Sequence, residues 1–445
     1  MTTTQSTRKS SPGIASGLKM LLSGCFAFLA LFVLSAMTAA PARAAIGTTD
    51  TVPSATLLLP YFEVDLANEN GAQTAIRVTN TSATAILAKA AMWTDYGVPT
   101  YGFLLYLPGF ASVDVDLRLL FKGIVPVTAS AGQDPTDQIS PKGQFSQDIN
   151  FASCNGVLPP SMMTAATVTA LRNAHTGQSS TLLSGNCGGV AHGDNIARGY
   201  ITLDTVNNCT AHVPGDPGYF GAGGTGDVTN QNVMTGTALY LNRSQHEAFS
   251  EPLVNIEASP GVGDTAYDYP GSPLTSTSGN YTFYGRYDGF TAVDNREPLA
   301  SITQGRYLNG GTFTTGSELV VWRDPGVAVA PFACGGSPAG FPLAQTEVLA
   351  FDEQEHYSPV VGTTFPYATQ EVSATGLSPY NFGFFRLNLT LSGGDPAVAG
   401  RHQSYVSIRH TANGTFGGSL PAQQINNASN PANTNFLVVP PAPLP

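Results

Sequence analysis

Apolar and polar residues alternate along most of this chain in a way that predicts short β-strands. Within residues 74–118, Ile76 and Val78 alternate with Arg77 and Thr79, which is the two-residue period of a strand with one buried face. Turn-forming residues separate this first strand from the further strands expected between residues 84 and 118. Short strands with turns between them are typical of a β-sandwich.

The same alternation returns in the second half of the chain, whereas one segment has helical character. We predict further strands at 199–204, 237–241, 281–287, 318–322, 346–351, 385–391 and 405–409. Two prolines at 159–160 and Gly177 bound a segment without helix breakers, so a helix is expected near 161–177. An outer-membrane barrel is the competing interpretation, but its strands of about ten residues recur regularly. The strands expected here are shorter and unevenly spaced.

These elements predict an all-β fold of one or two β-sandwich domains, immunoglobulin-like or jelly-roll-like, with a short helical excursion. Along the chain we expect a signal peptide at 1–44, an N-terminal β-sandwich region at 45–130, an irregular excursion at 131–195, a second β-rich region at 196–425 and a Pro/Asn-rich tail at 426–445. A chain of this length can bury a large core.

The N-terminus indicates export. Basic residues precede an apolar run over residues 20–37, and the small-residue exit at 42–44 resembles a signal-peptide cleavage site. We therefore expect an exported protein of the periplasm, the cell surface or the medium, with no membrane span after cleavage. Two alternatives stay open: the run could be an uncleaved anchor, and residues 22–25 resemble a lipoprotein acylation site, although they lie where the run begins.

Composition narrows the possible partners. The chain has 30 acidic against 19 basic residues and a formal net charge of −11, so its surface repels nucleic acid and anionic lipid. With 48 glycines, 32 prolines and only 11% charged residues, it is typical of an extracellular β-protein with many turns. A polysaccharide or another envelope protein is the kind of partner that we expect instead.

Cysteines follow the signal segment at four positions: Cys154, Cys187, Cys209 and Cys334. An even number of cysteines in an exported chain predicts two disulfides, for which three pairings are possible. From proximity in sequence alone we favour Cys154–Cys187 and Cys209–Cys334. A zinc site is disfavoured because no CxxC pair occurs.

One segment concentrates arginines, carboxylates and aromatic residues in an arginine-poor chain. Its candidate binding residues are Arg286, Tyr287, Asp288, Asp294, Arg296, Glu297, Arg306, Trp322, Arg323 and Asp324. Because arginine pairs with carboxylates and stacks on aromatic rings, the segment could be a structural network that ties loops to a sheet edge. The functional alternative is a groove for a sugar or another polar polymer, and paired carboxylates of the same set could hydrolyse a glycoside.

A second cluster could bind a cation. Asp352, Glu353 and Glu355 follow a predicted strand, and hard cations such as Ca²⁺ take several carboxylate oxygens. A solvated acidic loop is the alternative. The chain otherwise lacks motifs for nucleotide binding, a nucleophile elbow or a zinc-protease helix, so no other cofactor is predicted. The sequence at 192–194, His-Gly-Asp, is interpreted as a turn, with an active site as the alternative.

Several stretches carry a resemblance to a known group of proteins. Residues 59–65 (LPYFEVD), 78–99 (VTNTSATAILAKAAMWTDYGVP), 197–202 (ARGYIT) and 320–324 (VVWRD) resemble a family of exported bacterial proteins that is itself uncharacterised. The resemblance implies export and one shared architecture, and it implies no activity and no site. The strand rhythm of 74–118 also resembles the immunoglobulin-like modules of bacterial surface proteins.

These observations predict a secreted or cell-surface-associated, non-catalytic β-sandwich protein with a structural, adhesive or polysaccharide-binding role. The alternatives are a secreted hydrolase acting on glycans and a periplasmic envelope-assembly factor. A catalytic protein should have a deep cleft with convergent polar groups and perturbed titration. A binding or structural protein should have a flat aromatic strip or no cleft.

Overall fold

The computed structural model describes residues 52–126, 162–221, 226–258, 282–288, 294, 296–313, 316–362, 364–390, 402–412 and 416–424. The predicted signal peptide, the tail at 426–445 and the part of the predicted excursion at 131–161 lie outside these residues. All the described residues belong to one compact unit, Ile46–Pro445.

The described chain is mostly β-structure. Its strands are β1 Thr56–Asp65, β2 Ala72–Asn80, β3 Ile86–Trp93, β4 Pro99–Leu107, β5 Ser112–Asp116, β6 Ile196–Val206, β7 Met234–Asn242, β8 Glu247–Pro252, β9 Val254–Ile256, β10 Ile302–Leu308, β11 Ser317–Arg323, β12 Glu347–Phe351, β13 Tyr357–Pro359, β14 Thr369–Ser373, β15 Phe382–Asn388, β16 Ser404–Ala412, β17 Phe416–Pro421 and β18 Gln423–Gln424. Its helices are α1 Leu117–Phe121, α2 Ala165–His175 and α3 Gly285–Asp288.

The strands form four antiparallel sheets. Sheet 1 has the order β4-β3-β6-β1-β9, sheet 2 β5-β2-β7-β8, sheet 3 β14-β11-β16-β17 and sheet 4 β13-β12-β15-β10-β18. The predicted all-β class with β-sandwiches is therefore confirmed.

Sheets 1 and 2 pack face to face and enclose the first core. In β2, Ile76 and Val78 point inward and are buried, whereas Arg77 is exposed, as the alternation predicts. β3 is buried along its whole length. Ala90 faces the first core and Trp93 faces the opposite way, so both faces of this strand are covered.

Sheets 3 and 4 enclose the second core in the same way. Phe385 and Leu387 of β15 point inward and are fully buried, and they meet Val406 and Ile408 of β16 across the sandwich. The polar residues between them in β15 face outward. The strand predicted at 385–391 overlaps β15 at 385–388, and residue 391 lies outside the described residues.

A third cluster, the junction core, covers the outer face of sheet 1. Trp93 stacks on Tyr200 with ring centroids 5.7 Å apart, and Phe283 stacks on Trp322 at 5.5 Å. Trp322 belongs to β11 of sheet 3, so it joins the two sandwiches. Each stacked pair adds to the stabilisation from burial alone.

Strands from distant parts of the chain complete the first sandwich. β1 pairs with β6 and with β9, and β2 pairs with β7. Residues of the predicted region 45–130 therefore share both sheets with residues that follow 195. Each sheet of the first sandwich therefore contains strands from two of the predicted regions, 45–130 and 196–425.

The helix predicted near 161–177 is present and shorter, at Ala165–His175. It begins after Thr164, whose side chain accepts a hydrogen bond from the Thr167 N–H at 3.2 Å, and this cap satisfies an otherwise unpaired donor. The strand predicted at 281–287 is wrong, because Gly285–Asp288 form a helical turn. The Asp294 carboxylate accepts the Tyr284 N–H at 2.7 Å, which favours a turn over an extended strand.

The predicted disulfide pairing is also wrong, because Cys187 is bonded to Cys334. Cys187 exchanges two backbone hydrogen bonds with Phe332, at 2.9 and 3.0 Å, so the fold aligns segments that are 147 residues apart. Proximity in sequence carries no information on such a contact. Cys209 is disulfide-bonded as well, and Cys154 lies outside the described residues.

Candidate functional site

The structure places most of the predicted groove residues inside the protein. The buried members are Arg286, Asp294, Arg296, Glu297, Trp322, Arg323 and Asp324. Tyr287 is half-buried, and the side chain of Asp288 lies outside the described part of the structure. A ligand cannot reach buried groups, so these residues support the structural alternative, a network that ties loops to the sheets.

The network has specific partners. Arg286 pairs with Asp324 at 3.1 Å, and Gln403 donates to the same carboxylate oxygen at 2.7 Å. Arg296 lies 3.5 Å from Asp204, whose other oxygen accepts hydrogen bonds from two buried tyrosines, Tyr219 and Tyr284. Such pairing compensates the cost of burying the charges.

Two other arginines of the predicted groove also have partners within the protein. Arg323 donates to the backbone carbonyls of Leu343, Ala344, Phe365 and Leu389. Burial lowers its pKa to about 9. Arg306 is exposed and pairs with Glu353 at 2.6 Å. The charges in this segment therefore serve mainly to hold the fold together.

The predicted calcium residues lie in a tight turn after β12. The Asp352 carboxylate accepts hydrogen bonds from the Gln354 and His356 N–H groups, at 2.8 and 2.9 Å, and from the His356 ring at 2.9 Å. Glu353 points to Arg306. Within the described ranges, no group of three His, Cys, Asp or Glu side chains is arranged to hold a metal ion. Calcium binding at Asp352, Glu353 and Glu355 stays a prediction.

A polar cleft opens elsewhere, where the two sandwiches meet. One cavity of about 500 Å³ is lined by Tyr61, Glu63, Asp95, His192, Arg198, Glu318, Thr364, Pro366, Tyr367, Thr369, Gln370, Glu371, Val372 and Ser373. A second cavity of about 610 Å³ shares Glu63, Glu318 and Glu371 with it and extends to Glu247 and Arg409. We call the two together the junction cleft.

Carboxyl groups from four strands face the junction cleft: Glu63 of β1, Glu247 of β8, Glu318 of β11 and Glu371 of β14. Burial and the neighbouring Glu371 raise the pKa of Glu63 to about 7 and that of Glu318 to about 8. The same two causes raise the pKa of Glu247. Glu63 and Glu318 thus hold protons into the neutral range, which ordinary surface glutamates do not.

The position of Glu63 is set by its backbone. The Thr74 hydroxyl accepts the Glu63 N–H at 3.2 Å and donates to the Glu63 carbonyl at 3.0 Å, so it pins β1 to β2 at this residue. A register irregularity between Leu59 and Phe62 precedes it. Such irregularities redirect side chains at functional sites.

The cations at the cleft already have partners. Arg409 is 2% exposed, pairs with Glu371 at 2.7 Å and lies 3.9 Å from Glu251. Its guanidinium also lies 4.0 Å from the centre of the Tyr240 ring. Arg198 makes a two-bond pair with Asp194, at 2.8 and 2.9 Å. The cleft therefore keeps an excess of carboxyl groups.

The last feature of the site is a hydrogen bond between Asp95 and His192. The Asp95 carboxylate is buried and accepts the Val190 N–H at 2.9 Å and the His192 Nε2 at 3.0 Å. Burial raises the pKa of Asp95, although His192 opposes this. The His192 side chain is 31% exposed and its ring packs edge-on against Tyr367.

The sequence interpretation missed this site. It treated 192–194 as a turn and did not consider Asp95, which follows β3. No spacing rule joins the two residues, because they are 97 positions apart. A signal was present in Glu63 and Asp95, two acidic residues beside strongly apolar strands, where charges are rare.

The fold and site define an all-β protein built from two sandwiches that share a polar cleft at their junction. No protein-family model, curated protein or solved structure matches the chain. The resemblance to an uncharacterised exported family therefore stays a prediction. None of the helices among the described residues is long and apolar enough to cross a membrane.

Proposed function

We propose that the protein is exported and binds a polar, glycan-like ligand in the junction cleft. The N-terminal apolar run and the Cys187–Cys334 disulfide support export, since disulfides persist in oxidising compartments. The acidic surface and the small number of lysines and arginines argue against nucleic acid as the ligand.

The observation that carries this proposal is the lining of the cleft. Its walls present carboxyl, amide, hydroxyl and guanidinium groups on strands of both sandwiches, together with the Tyr61 ring, and the His192 and Tyr367 rings lie in adjoining loops. Rigid strands hold such groups in fixed directions, which suits a ligand with many hydroxyls. The earlier candidate segment at 286–324 contributes Glu318 to the cleft, whereas its charges at Arg286, Asp294, Arg296, Glu297, Arg323 and Asp324 are buried.

A steric block tests the binding site. Ser373 is exposed and lines the cleft, whereas Thr237 is exposed on the outer face of sheet 2. In a screen of soluble polysaccharides by affinity electrophoresis, we expect Ser373→Trp to lose the retardation that the wild type shows. Thr237→Trp is the matched control and should keep it. Equal binding by both variants would place the ligand elsewhere.

Localisation is tested separately. Fractionation with protease shaving of intact cells should recover the native protein in the medium or show its loss on shaving. A soluble pool that resists shaving would move the proposal to the periplasm and favour the envelope-assembly alternative.

A further inference from the structure

The segment that carries His192 is held firmly at several points. Cys187 is bonded to Cys334, and the Thr94 hydroxyl donates to the Gly188 carbonyl at 2.7 Å. A side chain at Gly189 would meet the Ala174 carbonyl at 2.9 Å, so the backbone packs closely there. This bracing fixes the histidine relative to the cleft.

The Asp95 carboxylate selects the hydrogen position on the His192 ring. A carboxylate only accepts hydrogen bonds, so the Nε2 that faces Asp95 carries the hydrogen. Nδ1 is then the ring nitrogen that can take a proton. A base held by a buried carboxylate is the arrangement that activates water or a hydroxyl for attack on an acyl carbon.

Location distinguishes this pair from others in the chain. His212 pairs with Asp227 at 2.8 Å and His356 with Asp352 at 2.9 Å, but neither pair lines the junction cleft. Only the pair with Asp95 lies in the same cavity as Glu63 and Arg198. Glu63 can supply a proton at neutral pH because burial raises its pKa to about 7.

We propose that the junction cleft hydrolyses carboxylic esters carried on a polar, glycan-like substrate, with His192 as the general base and Glu63 as the general acid. Asp95 is a positioning residue. The base and its carboxylate favour an ester over a glycoside, whose hydrolysis uses two carboxyl groups on opposite sides of the bond. This inference rests on the proposed ligand site.

The step balances without a cofactor. Water oxygen bonds to the acyl carbon while the His192 Nδ1 takes a water proton. The carbon–oxygen ester bond then breaks, and protonated Glu63 gives its proton to the departing alkoxide. The carboxylic acid product and the alcohol leave, and the proton on His192 returns to Glu63 through solvent.

The test uses the purified exported protein, p-nitrophenyl acetate and acetylated xylan, with release of nitrophenol and acetate as the readouts. We expect His192→Ala to lower kcat/KM at least about 100-fold. His212→Ala removes an equivalent histidine outside the cleft and should keep the wild-type rate. Circular dichroism checks that both variants fold.

The positioning role of Asp95 has its own readout. Asp95→Asn should lower kcat with little change in KM and should alter the pH–rate profile, which a purely structural role would not do. His192→Gln, which keeps the size of the side chain, covers the case in which Asp95→Asn fails to fold. It should be as inactive as His192→Ala.

The outcomes separate this inference from the proposed function. In one outcome, Ser373→Trp abolishes glycan binding, but the wild type releases no more ester product than His192→Ala. That result overturns the hydrolysis and keeps the binding site. Equal activity of His192→Ala and His212→Ala overturns it too. If the wild type shows neither glycan binding nor ester release, both the hydrolysis and the proposed ligand site are overturned.

Discussion

At the residue scale, Arg409 shows how one side chain can hold the junction. It comes from β16 of sheet 3 and lies against Tyr240 and Phe249 of sheet 2, with ring centres at 4.0 and 4.9 Å. Burial disfavours its charge, but the carboxylates Glu371 and Glu251 outweigh that cost and raise its pKa. Glu371 belongs to the same sheet as Arg409, whereas Glu251 belongs to sheet 2, so part of the compensation of its charge depends on the sandwiches staying together.

Removal of Arg409 should destabilise the protein strongly. We expect Arg409→Met to lower the free energy of unfolding by about 3–5 kcal/mol, because buried Glu251 loses its nearest cation. Urea denaturation measures this. Arg77→Met is the control, since the Arg77–Asp114 pair is exposed and should leave stability nearly unchanged. Equal midpoints for both variants would contradict a role for Arg409 at the junction.

The glutamates of the cleft predict a pH dependence of stability. Their pKa values are raised on folding, to about 8 for Glu318, so the folded state binds the proton more tightly than the unfolded state. The stabilisation is complete below the unfolded pKa near 4.5 and is lost as the pH rises through about 8.

Glu318→Gln should therefore have the melting temperature of the wild type at pH 4 and a higher one at pH 9. The effect should be modest, because Glu318 is exposed and water screens its charge. Thermal melts across this pH range measure it. Glu355→Gln, in the exposed turn after β12, should follow the wild-type curve. Parallel curves for Glu318→Gln and wild type would disprove the coupling.

At the element scale, the disulfide connects two loops, since neither Cys187 nor Cys334 lies in a strand. Cys187 follows α2 and Cys334 follows β11, and the bond closes a loop of 147 residues. A cross-link over a long loop removes much of the freedom of the unfolded chain. The same bond lies five residues before His192, so an element far along the chain helps to position the cleft.

Replacement of both cysteines by serine should lower the free energy of unfolding by about 2–5 kcal/mol. It should also reduce ester hydrolysis more than glycan binding. The disulfide holds the segment of His192 in place, whereas most of the other residues that line the cleft lie on other elements. Peptide mapping without reductant should recover Cys187 linked to Cys334. Recovery of Cys187 linked to Cys154 would contradict this structure.

At the scale of the whole molecule, the two sandwiches share buried surface. Leu58, Trp93 and Tyr200 of sheet 1 belong to the same cluster as Trp322 and Tyr405 of sheet 3. Separation would expose these large aromatic side chains, and each costs about 1.5–3 kcal/mol or more to expose. The sandwiches therefore stabilise one another.

This shared core predicts one unfolding transition. Differential scanning calorimetry should give a single peak, and Trp322→Ala should move the whole peak to lower temperature. Leu420→Ala, at a largely exposed apolar residue of β17, is the control and should have little effect. Two separate peaks in the wild type would show that the sandwiches fold independently.

The sequence by itself determined the local structure. The two-residue alternation in β2 and β15 predicts their buried faces because successive side chains of a strand point in opposite directions. The helix at 165–175 follows from its lack of breakers, although it begins after the predicted start near 161. The strand prediction at 281–287 was wrong because the Tyr284 N–H bonds to a carboxylate ten positions away, which favours a turn.

Tertiary structure alone decided the site. The arginines and carboxylates at 286–324 form a large charged cluster in the sequence, yet packing buries most of those that the structure describes, because a close-packed junction excludes water. Glu63, Asp95 and His192 lie far apart in the sequence and meet at one cavity because strand pairing and the Cys187–Cys334 bond join distant segments. A periodic pattern records which way a side chain faces, whereas contacts between distant segments arise only when the sheets pack.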